Sequence, residues 1–349
     1  MKYNKKRHRL PKCAGGCAAK IGQSDLEEIL SDLVIPQNAD VLLGPVHGAD
    51  SGVYRVSPTR AITQSVDFFP PMIPDPYFFG QVAATNALSD LYALGSKPVS
   101  VLNILGSPKG FSKKILNQIL KGAADKTREA GAALLGGHSV VTGEVLFGLS
   151  VTGIVHPKKW LKNTDCRLGD LLLLTKPLGT GILVHSFNAD VITENDLPIK
   201  SMTTLNCLAG DNLIAFKANA STDITGFGFL GHALDMLSTQ KLCFQIEYSK
   251  VPKFPRVESL ALEGRFPGGS RRNLEFLKKR VVFRSANKAA PYILNDAQTS
   301  GGLLISAPPK AAEKFLRLLE QKKYPLEAAI IGKVIKPRVD LKPQTIEVI

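Results

Sequence analysis

Long apolar runs are absent from this sequence. No window contains the roughly 18 uninterrupted apolar residues that a membrane-spanning helix needs, and the basic residues 1–12 are not followed by the apolar core of a secretory signal. Cysteine is scarce as well: the five residues, at positions 13, 17, 166, 207 and 243, are odd in number and mostly scattered. This usage favours a reducing compartment over a disulfide framework. We therefore expect a soluble protein that works in the cytoplasm.

Several binding motifs are also missing. The chain has neither a Walker A motif nor the glycine loop and strand lysine of protein kinases, so an ATP-using activity would need a different architecture. Cys13 and Cys17 have the spacing of half a zinc site, but no second Cys or His pair accompanies them, which argues against structural zinc. With 7% aromatic residues and no recognisable nucleic-acid module, the net charge of +14 fits polyanionic small molecules at least as well as nucleic acid. We expect no membrane partner and no direct nucleic-acid binding.

The 349 residues, 44% of them hydrophobic, are enough for two domains of ordinary size. We predict a flexible arm with a short helix over residues 1–40, an N-terminal domain over residues 41–157 and a C-terminal domain over residues 168–349. Strand and helix patterns mix in both halves, so the predicted fold class is mixed α/β, with the two domains related by duplication. The predicted elements include a helix over Ser24–Leu33, strands over Ala61–Val66, Ala132–Leu135 and Leu303–Ala307, and helices over Tyr77–Leu94 and Thr203–Lys217.

The segment Lys12–Lys20 gathers two thiols, two ammonium groups and two adjacent glycines into nine residues. A glycine pair lets a segment approach a ligand closely, and a basic neighbour lowers the pKa of a thiol, so Lys20 is placed to activate Cys17. The alternative is a basic tail with two incidental cysteines. The segment taken alone leaves both interpretations open.

Asn86 and Asp90 stand inside the apolar helix predicted over Tyr77–Leu94. They are four residues apart and therefore share a face of that helix. Burying a carboxylate is costly unless it is paired or bound to a metal, so the presence of Asp90 on an apolar helix requires an explanation. This face is either a functional site or is exposed at a domain edge.

Three further aspartates accompany turn-forming residues. Asp50 lies in a glycine-containing loop, and Asp67 is predicted at the end of the strand Ala61–Val66, where it could simply cap a turn. Asp223 is predicted just before a helix, where capping of backbone N–H groups competes with a functional role. Together with Asp90, these residues could supply the carboxylate oxygens that Mg²⁺ prefers.

Two other features near glycines have structural and functional interpretations. Gly136–Ser139 is predicted as a loop after a strand, with N–H groups and a hydroxyl suited to a phosphate, although ordinary turns share this composition. His232 lies in an apolar helical stretch and is predicted to be a hydrogen-bonded core residue rather than a metal ligand.

Six motifs occur in the order and spacing of one enzyme family, and they cover the chain from about residue 17 to residue 332. They are Cys17–Lys20, Ser65–Phe69, Ala84–Gly95, Gly136–Ser139, Thr222–Gly228 and Gln298–Gly302. In these motifs the chain resembles the selenophosphate synthetases, also called selenide, water dikinases. The resemblance implies two domains of the aminoimidazole-ribonucleotide synthetase-like type and a homodimer formed through the N-terminal domains. It also implies synthesis of selenophosphate from ATP, selenide and water, with release of AMP and orthophosphate, as a selenium donor for selenocysteine and selenouridine.

The resemblance further implies roles for individual residues. Cys17 matches the essential thiol of the family and Lys20 the essential amine. Asp50, Asp90 and Asp223 match its magnesium ligands, with more than one ion expected. The positions that match nucleotide contacts are Lys20, His47, Gly48, Ala49, Asp67, Asp90, Gly137, His138 and Ser139.

The chain departs from the family pattern at three positions. Ala19 and Ala49 stand where many members carry a second cysteine and another acid, and Ala297 stands where a proline is usual. We expect activity to survive these changes, with Cys13 a bystander. A different enzyme of the same superfamily, such as a thiamine-phosphate kinase or a purine-pathway synthetase, would leave the Cys17–Lys20 pair without a role. A basic binding protein without turnover is the third alternative.

Overall fold

The computed structural model describes residues 9–10, 21, 28–30, 32–45 and 49–349. Residues 28–30 are helical, and most of the helix predicted over Ser24–Leu33 lies outside the described residues. The predicted site residues Cys17, Lys20, His47 and Gly48 lie outside them too.

The first half of the chain forms a six-stranded sheet in the order β1-β2-β3-β6-β4-β5. β4 and β5 pair in parallel, and the other neighbouring strands are antiparallel. Two long helices accompany this sheet. The elements are β1 Val41–Leu43, β2 Gly52–Ser57, β3 Arg60–Phe69, α1 Pro76–Ala93, β4 Lys97–Ser107, α2 Lys113–Glu129, β5 Ala133–Val141 and β6 Leu146–Val155.

Alternation along β3 separates the two faces of this sheet. Ala61 and Thr63 are fully buried, whereas Val66 and Phe68 are half exposed. Because successive side chains of a strand point to opposite faces, the odd-numbered residues face the core and the even-numbered ones face away from it. α1 contacts β3 and β6 and covers the core-facing side.

The helix predicted over Tyr77–Leu94 is confirmed as α1. Asp75 is its N-cap, with a side chain that accepts a hydrogen bond from the Phe78 N–H, and Pro76 occupies the first turn, where a missing N–H is tolerated. Gly95, at φ +71°, follows its end. Nearly every residue of α1 is buried, because the second half of the chain packs against the face that the sheet leaves open.

Glycines set the close approach of α1 and α2. A Cβ atom at Gly80 would lie 1.9 Å from the Ile119 carbonyl oxygen, and one at Gly122 would lie 2.0 Å from the Tyr77 carbonyl oxygen. A helical Gly→Ala change normally gains up to about 1 kcal/mol of helix propensity. Here the clash is with backbone atoms and requires the two helices to separate, so the packing loss outweighs that gain.

We expect Gly80→Ala to lower the free energy of unfolding by about 2 kcal/mol or more, measured by denaturant titration. Gly143 is a matched control, because a Cβ atom there meets nothing within 4 Å and its φ is not positive. Gly143→Ala is expected to change stability by less than about 0.5 kcal/mol. Equal effects of the two variants would contradict the packing argument.

The second half of the chain forms a seven-stranded sheet in the order β10-β13-β9-β12-β7-β11-β8. β13 pairs in parallel with β9 and β10, and the remaining pairs are antiparallel. Its strands are β7 Leu171–Leu174, β8 Ala220–Asp223, β9 Cys243–Ile246, β10 Val281–Phe283, β11 Leu303–Ala307, β12 Ala329–Ile335 and β13 Ile346–Val348. Its helices are α3 Thr180–Asn188, α4 Ile199–Thr203, α5 Cys207–Gly210, α6 Gly228–Asp235, α7 Val257–Leu262, α8 Gly268–Leu277, α9 Ala290–Leu294 and α10 Pro309–Gln321.

Some sequence-based elements are confirmed and others are wrong. The strand Leu303–Ala307 is found as predicted. The long helix predicted over Thr203–Lys217 is wrong: α4 ends at Thr203, and the short helix α5 and a series of turns occupy the rest of this region. The hydroxyl of Thr204 donates to the Lys200 carbonyl at 2.6 Å, and the backbone around it is extended. Such local bonds compete with helix continuation.

The loop predicted over Gly136–Ser139 is also wrong, because these residues continue β5. Gly137 pairs with Asn103 on β4, and a Cβ atom at Gly137 would lie 2.2 Å from the Asn103 carbonyl oxygen. Gly137 therefore permits close strand pairing rather than a turn. Asp67 likewise lies within β3, which continues to Phe69, rather than after the end of the strand.

Candidate metal and nucleotide site

Three carboxylates from distant parts of the chain meet at one place. Asp50 precedes β2, Asp90 lies in the last turns of α1, and Asp223 ends β8. Each offers an oxygen, and these atoms all lie within 4.8 Å of one another. The two halves of the chain therefore share one acidic site.

Burial makes this cluster unfavourable by itself. Asp90 and Asp223 are 8% and 1% exposed. The pKa of Asp50 is raised well above its usual value, first by loss of hydration and then by the charge of Asp223; the Thr222 hydroxyl, which donates to Asp50 Oδ1 at 2.9 Å, partly opposes this. An all-oxygen set of buried, mutually repelling carboxylates fits a hard divalent cation such as Mg²⁺.

Asp223 does not act as the helix cap that its position allowed. α6 begins at Gly228 after Phe227, which makes no side-chain capping bond, while Asp223 pairs with Leu303 in the sheet. The core role predicted for His232 is confirmed. Its Nε2 accepts a hydrogen bond from the Thr225 N–H at 3.2 Å.

Two residues of β3 link the acidic cluster to the first sheet. The Ser65 hydroxyl donates to Asp90 Oδ2, and Asp67 Oδ2 accepts a hydrogen bond from Asn86 Nδ2 at 2.7 Å. Ser65 and Asp67 are two apart and so project from the same face of the strand, towards α1. Asn86 and Asp90, which are four residues apart on α1, therefore lie opposite Asp67 and Ser65, which are two residues apart on β3.

A cavity of about 440 Å³ adjoins Asp50, and its lining includes Ala49, Tyr54 and Gln64. A larger cavity of about 600 Å³ lies beside the first turn of α1, near Tyr77 and Glu194. Asp90 is 14 residues along that helix, about 20 Å from its start. The larger cavity is therefore remote from the carboxylates.

The structure does not bring Gly137, His138 and Ser139 to the acidic cluster within one chain. Gly137 pairs with Asn103, Asn103 with Leu149, and Leu149 with Asp67, so these residues lie in one row across four strands. Three strand spacings separate Gly137 from Asp67 by about 14 Å. The whole of β5 is exposed.

Sequence reasoning missed one feature of the site, the ammonium group of Lys176. The side chain is fully buried, and its Nζ donates to the carbonyls of Ser201, Thr204 and Ser300 at 3.1, 2.6 and 3.0 Å. Burial lowers its pKa to about 7, while the charge of Asp223 acts in the opposite direction. The available signal was a lysine placed two residues after the four-leucine strand β7 and before a glycine-containing turn.

Comparison with known protein families agrees with this architecture. The model of AIR synthase related proteins matches the chain twice, with its N-terminal domain over residues 48–155 and its C-terminal domain over residues 167–342. Among solved structures, a thiamine-monophosphate kinase from Stenotrophomonas maltophilia aligns with a TM-score of 0.64 and 17% identity, covering 95% of this chain and 96% of that one. The hydrogenase maturation protein HypE in complex with ATP aligns with a TM-score of 0.65 and 17% identity, covering 93% of this chain and 90% of that one.

The fold, with an acidic site formed by both halves of the chain, thus defines a two-domain protein of the AIR synthase related class. The predicted fold class is confirmed. A selenide, water dikinase of Myxococcus xanthus is 42% identical over 339 residues, which cover 95% of this chain and 96% of that protein. Selenide, water dikinase 2 of Peptoclostridium acidaminophilum is 43% identical over 327 residues, covering 92% and 93%. The chain belongs to the selenide, water dikinase family.

Among the described residues, no helix combines the length and the apolar composition needed to cross a bilayer. The exact domain limits, residues 41–157 and 168–349, stay a prediction.

Proposed function

We propose that this protein synthesises selenophosphate from ATP, selenide and water and releases AMP and orthophosphate. One observation carries the proposal. Carboxylates from both halves of the chain converge within 4.8 Å, in a chain that is 42% identical over 95% of its length to a selenide, water dikinase. The product would serve as a selenium donor for selenocysteine and selenouridine.

We assign the metal site to Asp50, Asp90 and Asp223, with room in the donor set for more than one Mg²⁺. Bound Mg²⁺ supplies positive charge that offsets the charge developing on phosphoryl oxygens. The three carboxylates hold that charge at the junction of the two halves. Thr222 orients Asp50 and Ser65 orients Asp90 through their hydroxyl donors.

We assign the nucleotide to the neighbourhood of Asp67 and of Ala49, which lines the cavity next to Asp50. His47 and Gly48 are assigned to the nucleotide from the family motif alone. Cys17 and Lys20 are assigned the chemistry with selenide: Lys20 stabilises negative charge on the transferred group and favours the thiolate of Cys17. Both residues lie outside the described part of the chain, so these roles rest on the family motif.

We further propose that the protein is a homodimer formed through the first sheet. The face of that sheet turned away from α1 exposes large apolar side chains, and the edge strand β5 adds more. Their exposed fractions are 52% for Val66, 49% for Phe68, 45% for Leu102, 68% for Leu135 and 75% for Val141. Exposed large apolar side chains of this kind are typical of an interaction surface. Contacts of the nucleotide with Gly137, His138 and Ser139 are assigned to this dimer, because within one chain Gly137 lies about 14 Å from Asp67.

We place the enzyme in the cytoplasm, where its scattered cysteines would stay reduced.

The expected result in solution is AMP formation that depends on both selenide and Mg²⁺. The purified protein is incubated anaerobically with ATP and Mg²⁺, with and without selenide, and AMP, ADP and orthophosphate are quantified. Selenophosphate and AMP should form in equal amounts. Formation of ADP with thiamine monophosphate, and no AMP with selenide, would replace this function with a thiamine-phosphate kinase activity. No turnover with either substrate would also overturn the proposal.

A further inference from the structure

A chain of hydrogen bonds joins the two halves of the protein behind the acidic site. Lys176 Nζ donates to the Ser300 carbonyl at 3.0 Å, and the Ser300 N–H donates to Asn86 Oδ1 at 2.8 Å. Asn86 Nδ2 then donates to Asp67 Oδ2 at 2.7 Å. The chain therefore connects a buried cation of the second half to the carboxylate assigned to the nucleotide.

The chemistry of the partners fixes the orientation of Asn86. A backbone N–H can only donate, so the amide oxygen of Asn86 must face Ser300. The NH₂ group then faces Asp67, whose ionised carboxylate can only accept. Asn86 is fully buried, and an asparagine carries both a donor and an acceptor at the spacing that these two partners need. An aspartate there would oppose oxygen to oxygen at Asp67.

The Ser300 end of this chain is tightly held. Ser300 is fully buried and has a left-handed backbone, φ +53°, which is strained for a non-glycine residue and persists only when its surroundings enforce it. Its N–H and its carbonyl are both engaged. Lys176 directs its three N–H donors at the carbonyls of Ser201, Thr204 and Ser300, so the cation itself has little freedom to move.

We propose that Asn86 is a positioning residue that fixes the side chain of Asp67 for nucleotide binding, using Ser300 and Lys176 as a rigid anchor in the other half of the chain. The role of Asp67 in this statement rests on the proposed function. Asn86 does not contact the nucleotide and acts through Asp67. The buried polar face of α1 then has two separate uses: Asp90 belongs to the metal cluster, and Asn86 orients the neighbouring carboxylate.

The competing explanation is that Asn86 only fastens the two halves together. Asn206 provides the matched control, because it is equally buried and also bridges the halves. Its Nδ2 donates to the Ser89 hydroxyl at 2.8 Å and to the Gly301 carbonyl at 2.9 Å, and neither of these bonds involves Asp67. A purely structural role predicts the same behaviour for both asparagines.

The test compares Asn86→Ala, Asn86→Asp and Asn206→Ala in the full-length protein. Affinity for a non-hydrolysable ATP analogue with Mg²⁺ is measured by isothermal titration calorimetry, and stability by thermal unfolding. We expect both Asn86 variants to weaken analogue binding by roughly tenfold or more, since a hydrogen bond to a charged group is lost. Asn206→Ala should lower the unfolding temperature as much as Asn86→Ala while changing the affinity by less than about threefold.

Two further variants, Asn86→Asp and Ser300→Gly, test the proposal even if Asn86→Ala does not fold. Asn86→Asp keeps the side-chain volume and the acceptor for Ser300, replaces the donor to Asp67 with an oxygen, and adds a buried carboxylate one helical turn from Asp90. Ser300→Gly relieves the left-handed strain and keeps both backbone bonds, so analogue affinity should be retained. Equal losses of affinity in the Asn86 and Asn206 variants, or normal affinity in Asn86→Asp, would overturn the proposal. Selenide-dependent AMP formation by the unmodified protein tests the proposed function separately, since the analogue affinities require no turnover.

Discussion

Replacing Asp223 with asparagine is expected to move two properties of the protein in opposite directions. Without metal, the variant should be more stable by about 1 to 3 kcal/mol, because it removes one of three mutually repelling carboxylates, two buried and one half-buried, whose oxygens lie within 4.8 Å of one another. Mg²⁺ affinity should fall by about 100-fold or more, since losing even an outer partner of a ligand costs about 10- to 100-fold. Selenide-dependent AMP formation should fall with it.

The lost attraction between Asp223 and Lys176 works against the first effect. The ammonium of Lys176 already donates to three carbonyls, however, whereas the carboxylates of Asp50 and Asp90 face Asp223 directly. Relief of repulsion should therefore dominate. Thermal unfolding in EDTA measures the stability, and calorimetric titration with Mg²⁺ measures the affinity.

Asp235→Asn is the matched control for this variant. Asp235 is also buried and its charge also raises the pKa of Asp50, but it lies outside the cluster of three carboxylates. It should therefore change metal-free stability without a comparable loss of Mg²⁺ affinity. Unchanged Mg²⁺ affinity in Asp223→Asn would contradict its assignment as a ligand.

Replacing Cys17 with serine is expected to reduce selenide-dependent AMP formation by about 100-fold or more. General acid–base roles alone contribute about 10²- to 10⁴-fold, and a nucleophilic role can contribute more. A serine hydroxyl does not ionise near neutral pH, so it cannot replace a thiolate stabilised by Lys20. Affinity for the Mg²⁺-bound ATP analogue should persist, because the aspartate site is untouched.

Cys13→Ser is the control for the thiol, four residues earlier in the same arm. It should retain full turnover, since Lys20 lies three residues from Cys17 but seven from Cys13. Full activity of Cys17→Ser would show that its thiol is incidental. Equal losses in both variants would point instead to dithiol chemistry between Cys13 and Cys17.

Local sequence signals predicted those elements whose formation depends on neighbouring residues. α1 has a capping aspartate, a proline in its first turn and a glycine beyond its end, and it was predicted to within about one residue. The glycines of β5 misled the prediction because the same residue type permits a turn or a close approach to another backbone. Only the neighbour, Asn103 on β4, distinguishes these two uses.

The sequence by itself determined the family, through six motifs in fixed order, and the residue types available for metal and phosphate chemistry. It also identified Asn86 and Asp90 as polar residues of one helix face that needed an explanation. Their different uses were decided only by tertiary structure: Ser300, 214 residues away, accounts for Asn86, while Asp50 and Asp223 account for Asp90. Periodicity and capping act over a few residues, whereas contacts between the two halves depend on how both sheets pack around α1.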